Sequence, residues 1–191
     1  MTFTIAFVTG ATPDKWARTW REREKERLEV VPVSEAEQLG GVRSGDVSMA
    51  LVRLPIDREG LHCIPLYEEQ QVVVVGKEHY LSLADEVTLA ELTEEQLVLP
   101  HVSGWTPTAK QLDWPAMTEK DAIEVAASGN GIVIVPASIA RLYHRKDVVT
   151  RPVSDLEPTK VGLAWRIDDE DPRVQTFIGI IRGRTARSSR S

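Results

Sequence analysis

The chain has 191 residues, of which 42% are hydrophobic and 27% charged, with a formal net charge of −6. That length can bury a real core in one large domain or two small lobes, and the balance is that of a folded chain rather than a disordered one. The acidic excess excludes a nucleic-acid-binding surface over the whole molecule, because phosphate contacts need clustered Lys and Arg.

In chain order, "FTIAFV" is a short strand, "TGATPD" a turn, and "KWARTWREREKER" a helix with Trp16 and Trp20 one turn apart. Residues 27–33 form the next strand. A helix is expected to start near Ser34 and stop around Gly45, followed by the strand "SMALVRL". Strands alternating with helices predict a mostly parallel sheet covered on both faces. The pattern then changes. "LHCIPLYEEQQVVVVGKEHYLSL" holds two strand-like runs with hardly any helix between them. "TLAELTEEQLVLP" reads as helix then strand, and "EKDAIEVAASGNGIVIVPASIARLYHR" as helix, Gly-rich turn, strand and helix. "KVGLAWR" is a late strand, and "PRVQTFIGIIRGR" a closing helix with Val174, Phe177, Ile178 and Ile181 on one face. The expected division is residues 1–72 plus 160–182 in one lobe and 73–159 in the other, with 183–191 a flexible basic tail.

Cys63 is the single cysteine, so no internal disulfide is possible and a reducing, cytoplasmic setting is the simpler expectation. The start "MTFTIAFVTG" lacks the basic segment of a secretory signal, and no run reaches the length of a membrane span.

Taken in order, "VRSGDVSMALVR", the passage from "PLYEE" to "VVVV", and "GNGIVIVPAS" resemble the effector-binding (substrate-binding) domain of LysR-type transcriptional regulators over residues 3–182. Each piece alone is weak; the order and spacing carry the resemblance. It implies an α/β, two-lobed fold like the type 2 periplasmic binding proteins, with two crossing hinge strands near residues 71–75 and 159–164 and a small effector in an interlobe cleft. It also implies side-by-side homodimers. Two departures stand out. Residue 1 already lies just before the first effector-domain strand, so the expectation is a free-standing domain without its own sequence-specific DNA reader. And Ser48 stands where the family commonly has Asp.

Ligands of open α/β sheets bind beyond the carboxyl ends of the strands. After the first strand these positions are Thr9, Gly10, Ala11 and Thr12. An ordinary strand-to-helix turn and a ligand contact fit them equally, and the resemblance favours contact. Ser34 and Glu35 follow the second strand; Ser34 is also a fitting N-cap, and an inward Glu35 would oppose an anion. Arg53 ends "MALVR", where its planar fork suits a carboxylate. An ion pair with Asp57, Glu59 or another acidic neighbour is the equal alternative. In the second lobe the candidates are Pro100, His101 and Val102 after "QLVL", and Pro136 before the helix that carries Ser138. His101 alone is more often a loop histidine than a ligand group, and Trp105 is either a flat wall for a ligand or simple packing.

Catalysis is not expected. His62, His79, His101 and His144 are dispersed without metal-ligand spacing, and no nucleophile elbow or phosphate loop is present. Residues 168–171 are most simply a solvated acidic turn. Prephenate dehydratases share the two-lobed fold, but their Thr-Arg-Phe signature is absent. The expected function is therefore sensing a small, carboxylate-bearing metabolite, with no cofactor and no metal. The alternatives are an enzyme using the same cleft, or a dimerisation partner of full-length regulators.

Overall fold

The computed structural model describes residues 2–99 and 104–183. They form two compact units, Met1–Tyr67 with Lys160–Ser191, and Glu68–Thr159. The first unit is built on β1 (Phe3–Val8), β2 (Leu28–Val33), β3 (Met49–Leu54), β4 (Leu61–Glu69) and β8 (Thr159–Arg166), in the order β2-β1-β3-β8-β4. The second is built on β5 (Gln71–Gly76), β6 (Val133–Pro136) and β7 (Val148–Pro152), in the order β6-β5-β7. The chain passes between the units within β4 and again at the start of β8.

Strand direction follows from this path. β1 pairs in parallel with β2 and β3, as the alternating pattern predicts. β8 runs antiparallel to β3, and β5 antiparallel to both β6 and β7. The expected mostly parallel sheet therefore holds only for β2-β1-β3.

In the first unit, α1 (Asp14–Arg23) and α5 (Pro172–Ile181) cover one sheet face. Phe3, Ile5, Trp20, Met49, Leu51, Leu163 and Phe177 form the core there. Phe3 stacks on Trp20 at 5.0 Å, and Phe177 meets Trp20 at 6.1 Å, within the range of favourable ring packing. Trp20 Nε1 donates to the Glu26 carbonyl at 2.8 Å. That bond folds the chain back after Arg23, so α1 stops short of the expected residue 27. The opposite face packs Ala6, Val42, Ala50, Val52 and Ala164.

The helix expected over residues 34–45 is broken. A single 3-10 turn, Glu35–Glu37, precedes α2 (Gly40–Ser44), and Gly45 ends α2 with φ +84°. The break falls at Gln38 and Leu39, where the Gln38 side chain bonds the backbone of Arg53, and Gly41 lies in α2 where a Cβ would be 3.3 Å from Val47 Cγ2.

In the second unit the run Val72–Val75 is buried on both sides, as its unbroken apolarity predicts. Val72 and Val74 pack with Ile123, Ala126 and Ile139 of α3 (Glu119–Ala127) and α4 (Ala137–Leu142). Val73 and Val75 pack with Leu81, Leu92, Leu97 and Val153. The "TLAEL" helix is only a 3-10 turn, Leu89–Leu92, closed by a Thr88/Glu91 capping box. The strand expected at "QLVL" is a single bridge, Leu97 with Ile132.

Asp171 caps α5 and holds Arg173. Its carboxylate accepts from the Arg173 backbone N–H at 2.9 Å and from Arg173 Nη2 at 2.7 Å. The Arg173 guanidinium keeps this carboxyl below the ordinary Asp value, burial opposing. A depressed folded pKa contributes stability that is full above the unfolded value and is lost as pH falls through the folded one. Asp171→Ala is accordingly expected to cost about 1 kcal/mol near neutrality, with the gap from wild type closing below about pH 4. Urea unfolding at pH 7 and pH 3 measures it. A gap of the same size at both pH values would remove the ion pair from the account.

Candidate functional site

Parallel pairing aligns the carboxyl ends of β2, β1 and β3. Val8 pairs with Val33, and Phe7 with Leu51. Extending that register by one or two residues brings Thr9, Ser34 and Arg53 to one edge of the sheet. Thr9 is tied to β2 twice, since both its N–H and its Oγ1 donate to the Val33 carbonyl, at 3.1 and 3.2 Å. Gly10 follows with φ +91°, a backbone state that side chains disfavour, and it turns the chain into α1. Ala11 is buried and Thr12 exposed.

Arg53 is at the centre. It is 3% exposed, and its Nη2 donates to the Thr9 carbonyl at 2.8 Å. Its Nε lies 3.8 Å from Glu35 Oε2. Glu35 keeps 32% of its side chain exposed and so is the open member of this ion pair. Asp57, one of the acidic partners considered from sequence, pairs instead with Arg43, at 2.9 Å. Glu59 N–H and Arg43 hold the Asp57 carboxyl below its usual value, so it is ionised at neutral pH. Ser34 takes the N-cap position of the 3-10 turn, but its hydroxyl donates to Glu37 Oε2 at 3.2 Å and caps no amide. A hollow of about 370 Å³ opens beside this set, lined by Glu35, Gln38, Leu39, Arg43, Pro55 and Asp57.

Gln38 was not legible as part of the site. It is buried and clasps the Arg53 backbone from both sides, accepting from Arg53 N at 2.8 Å and donating to Arg53 O at 3.1 Å. A glutamine in "SEAEQLGG" carries no local mark of a partner 15 residues on.

In the second unit Pro136 is buried and opens α4. The Ala137 N–H donates to the Gln70 carbonyl at 3.0 Å and the Ser138 N–H to Glu69 Oε1 at 2.6 Å. Glu69, buried at the end of β4, thus supplies from within the chain the negative charge a helix start favours. Trp105 packs, partly buried, against the second-unit core. Pro100, His101 and Val102 lie outside the described residues.

The catalytic alternatives gain no geometry. His62 is exposed and packs its ring on Trp165, while burial pushes the adjacent Cys63 thiol up, away from the reactive thiolate. Among the described residues no group of His, Cys, Asp and Glu is placed to hold a metal ion, and no helix is long and apolar enough to cross a membrane.

The sequence profile of the LysR substrate binding domain matches residues 6–117 and 120–186, nearly the whole chain. The chain belongs to the LysR substrate-binding domain family. It is 26% identical over 201 residues to the Hca operon transcriptional activator HcaR of Escherichia coli, covering 96% of this chain and 68% of that regulator. To CatR, a helix-turn-helix-type transcriptional regulator of Pseudomonas putida, it is 28% identical over 190 residues, covering 86% of this chain and 61% of that one. The effector-binding domain of a BenM double variant superposes with a TM-score of 0.79 at 21% identity, covering 100% of this chain and 97% of that one. A cysteine mutant of Corynebacterium glutamicum OxyR gives 0.76 at 18% identity, covering 95% of this chain and 63% of that one. These likenesses establish the type 2 periplasmic-binding-protein-like fold of LysR effector domains. The chain spans about two thirds of the full-length regulators it matches.

Proposed function

We propose that this chain is a small-molecule sensor serving transcription regulation, taking a carboxylate-bearing metabolite at the carboxyl ends of the parallel strands β1, β2 and β3. The convergence of the turns after β1 and β2 on the Arg53 guanidinium at the end of β3 carries this reading. Thr9, Gly10, Ala11, Thr12, Ser34, Glu35 and Arg53 are the proposed contacts in the first unit. In the second they are Pro100, His101, Val102 and Pro136. Membership of a family of effector-binding domains supports the reading, and open α/β sheets bind ligands at such edges. Arg53 supports an acid group, since its fork is the side chain best matched to a carboxylate. The signal would be a population shift: a ligand preferring one conformation of the domain raises that conformation's share, and one with equal affinity for all raises none.

A thermal-shift panel of organic acids, amino acids and aromatic carboxylates tests this. A true ligand raises the melting temperature with its concentration. Thr12→Trp, at an exposed turn position, is expected to abolish that rise while moving the unliganded melt by no more than about 0.5 kcal/mol equivalent. An undiminished ligand shift in Thr12→Trp would place binding elsewhere.

A further inference from the structure

We infer that the effector carries an amine beside its acid group, and that Glu35 is the residue that selects the amine. The inference rests on the proposed sensor function. Its starting point is the charge already spent inside the protein. Arg53 is buried, its Nη2 is engaged by the Thr9 carbonyl, and its charge is met by Glu35 at 3.8 Å. A ligand with only a carboxylate would add a second anion to a pair that is already neutral. Like charges at such spacing repel, and the penalty grows as water is displaced. The side chain of Glu35 is 32% exposed and that of Arg53 2%, so Glu35 is the member of the pair that a ligand meets first.

The hollow that Glu35 lines keeps the same balance. Asp57 lines it too, but Arg43 meets its charge at 2.9 Å, so Glu35, whose own cation is buried, is the carboxylate this wall presents to a ligand. A free ammonium offers three donors to such a wall, while a bare hydrocarbon offers none. An α-amino acid or a similar zwitterion satisfies both halves: its ammonium neutralises Glu35, and its carboxylate then finds Arg53 electrically available again.

Matched pairs of ligands differing only in the amine are the test. Suitable probes are phenylalanine with 3-phenylpropanoate, glutamate with glutarate, and leucine with 4-methylpentanoate, titrated by calorimetry into the wild-type chain and Glu35→Gln. In wild type the amine-bearing member of at least one pair is expected to bind tenfold or more tightly than its partner. Glu35→Gln, which keeps the shape and removes the charge, is expected to reduce that ratio at least fivefold. Thermal melts of the unliganded variant confirm that it is folded. If the deaminated acids bind as well as or better than the amino acids, or the ratio is unchanged in Glu35→Gln, the amine inference is overturned while the sensor function stands. If no probe in any pair binds and the wider acid panel is also silent, the sensor function falls, and this inference with it.

Discussion

Trp20→Ala is expected to lower the unfolding free energy by about 3–5 kcal/mol, and the melting temperature by roughly 10 °C. Trp20 is 1% exposed, the largest of the fully buried side chains. Its truncation removes the stack on Phe3, the contact with Phe177 and the bond from Nε1 to the Glu26 carbonyl. The cavity opens between α1, α5 and the sheet, where close-packed neighbours relax only in part. Trp20→Phe separates the contributions. It keeps most of the ring volume and loses the N–H, so about 1–2 kcal/mol of the loss should persist. Urea unfolding of both variants measures this, and a Trp20→Ala loss near 1 kcal/mol would mean that α1 is dispensable to the first unit's core.

Arg53→Met is expected to destabilise the unliganded protein by about 3 kcal/mol, the low end of the cost of breaking a buried ion pair. Methionine fills much of the same volume, so the loss reports charge and hydrogen bonding more than a cavity. The Thr9 carbonyl loses its donor and Glu35 loses its cation. The exposed side of Glu35 can recover water, which keeps the cost from the top of the range. The double variant Arg53→Met with Glu35→Gln should regain about 1 kcal/mol of it, since the stranded charge is gone. Gln38 still clasps the backbone at position 53, so the strand end should stay in place. Denaturant melts of the four proteins form the cycle. An Arg53→Met protein as stable as wild type would show that the buried ion pair and the bond to Thr9 contribute nothing to stability.

Much of this was legible without coordinates. "FTIAFV", "MALVRL" and "KVGLAWR" are strands where expected, and the expected face of α5 places Val174, Phe177 and Ile178 in the core. Local pattern suffices there because each segment's apolar period and its burial agree. Elements failed where local signals were short or in conflict. The expected helix is cut at Gln38 and Leu39, between the 3-10 turn and the glycine pair that opens α2. β7, in "VVTRP", was passed over, because a five-residue strand with an arginine and a proline gives little alternation to read.

By itself the sequence determined the family, the order of most of its α/β elements and the strand ends proposed to meet a ligand. Turn residues, apolar runs and motif spacing are local properties, written where they act. The tertiary structure alone decided which way β5 and β8 run, and that Arg53 answers to Glu35 and Thr9 while Asp57 goes to Arg43. Those choices depend on distance in space. Asp57 and Glu59 are the near acidic candidates for Arg53 along the chain, and the register of β2, β1 and β3 brings the more distant Glu35, with Thr9, against the guanidinium instead.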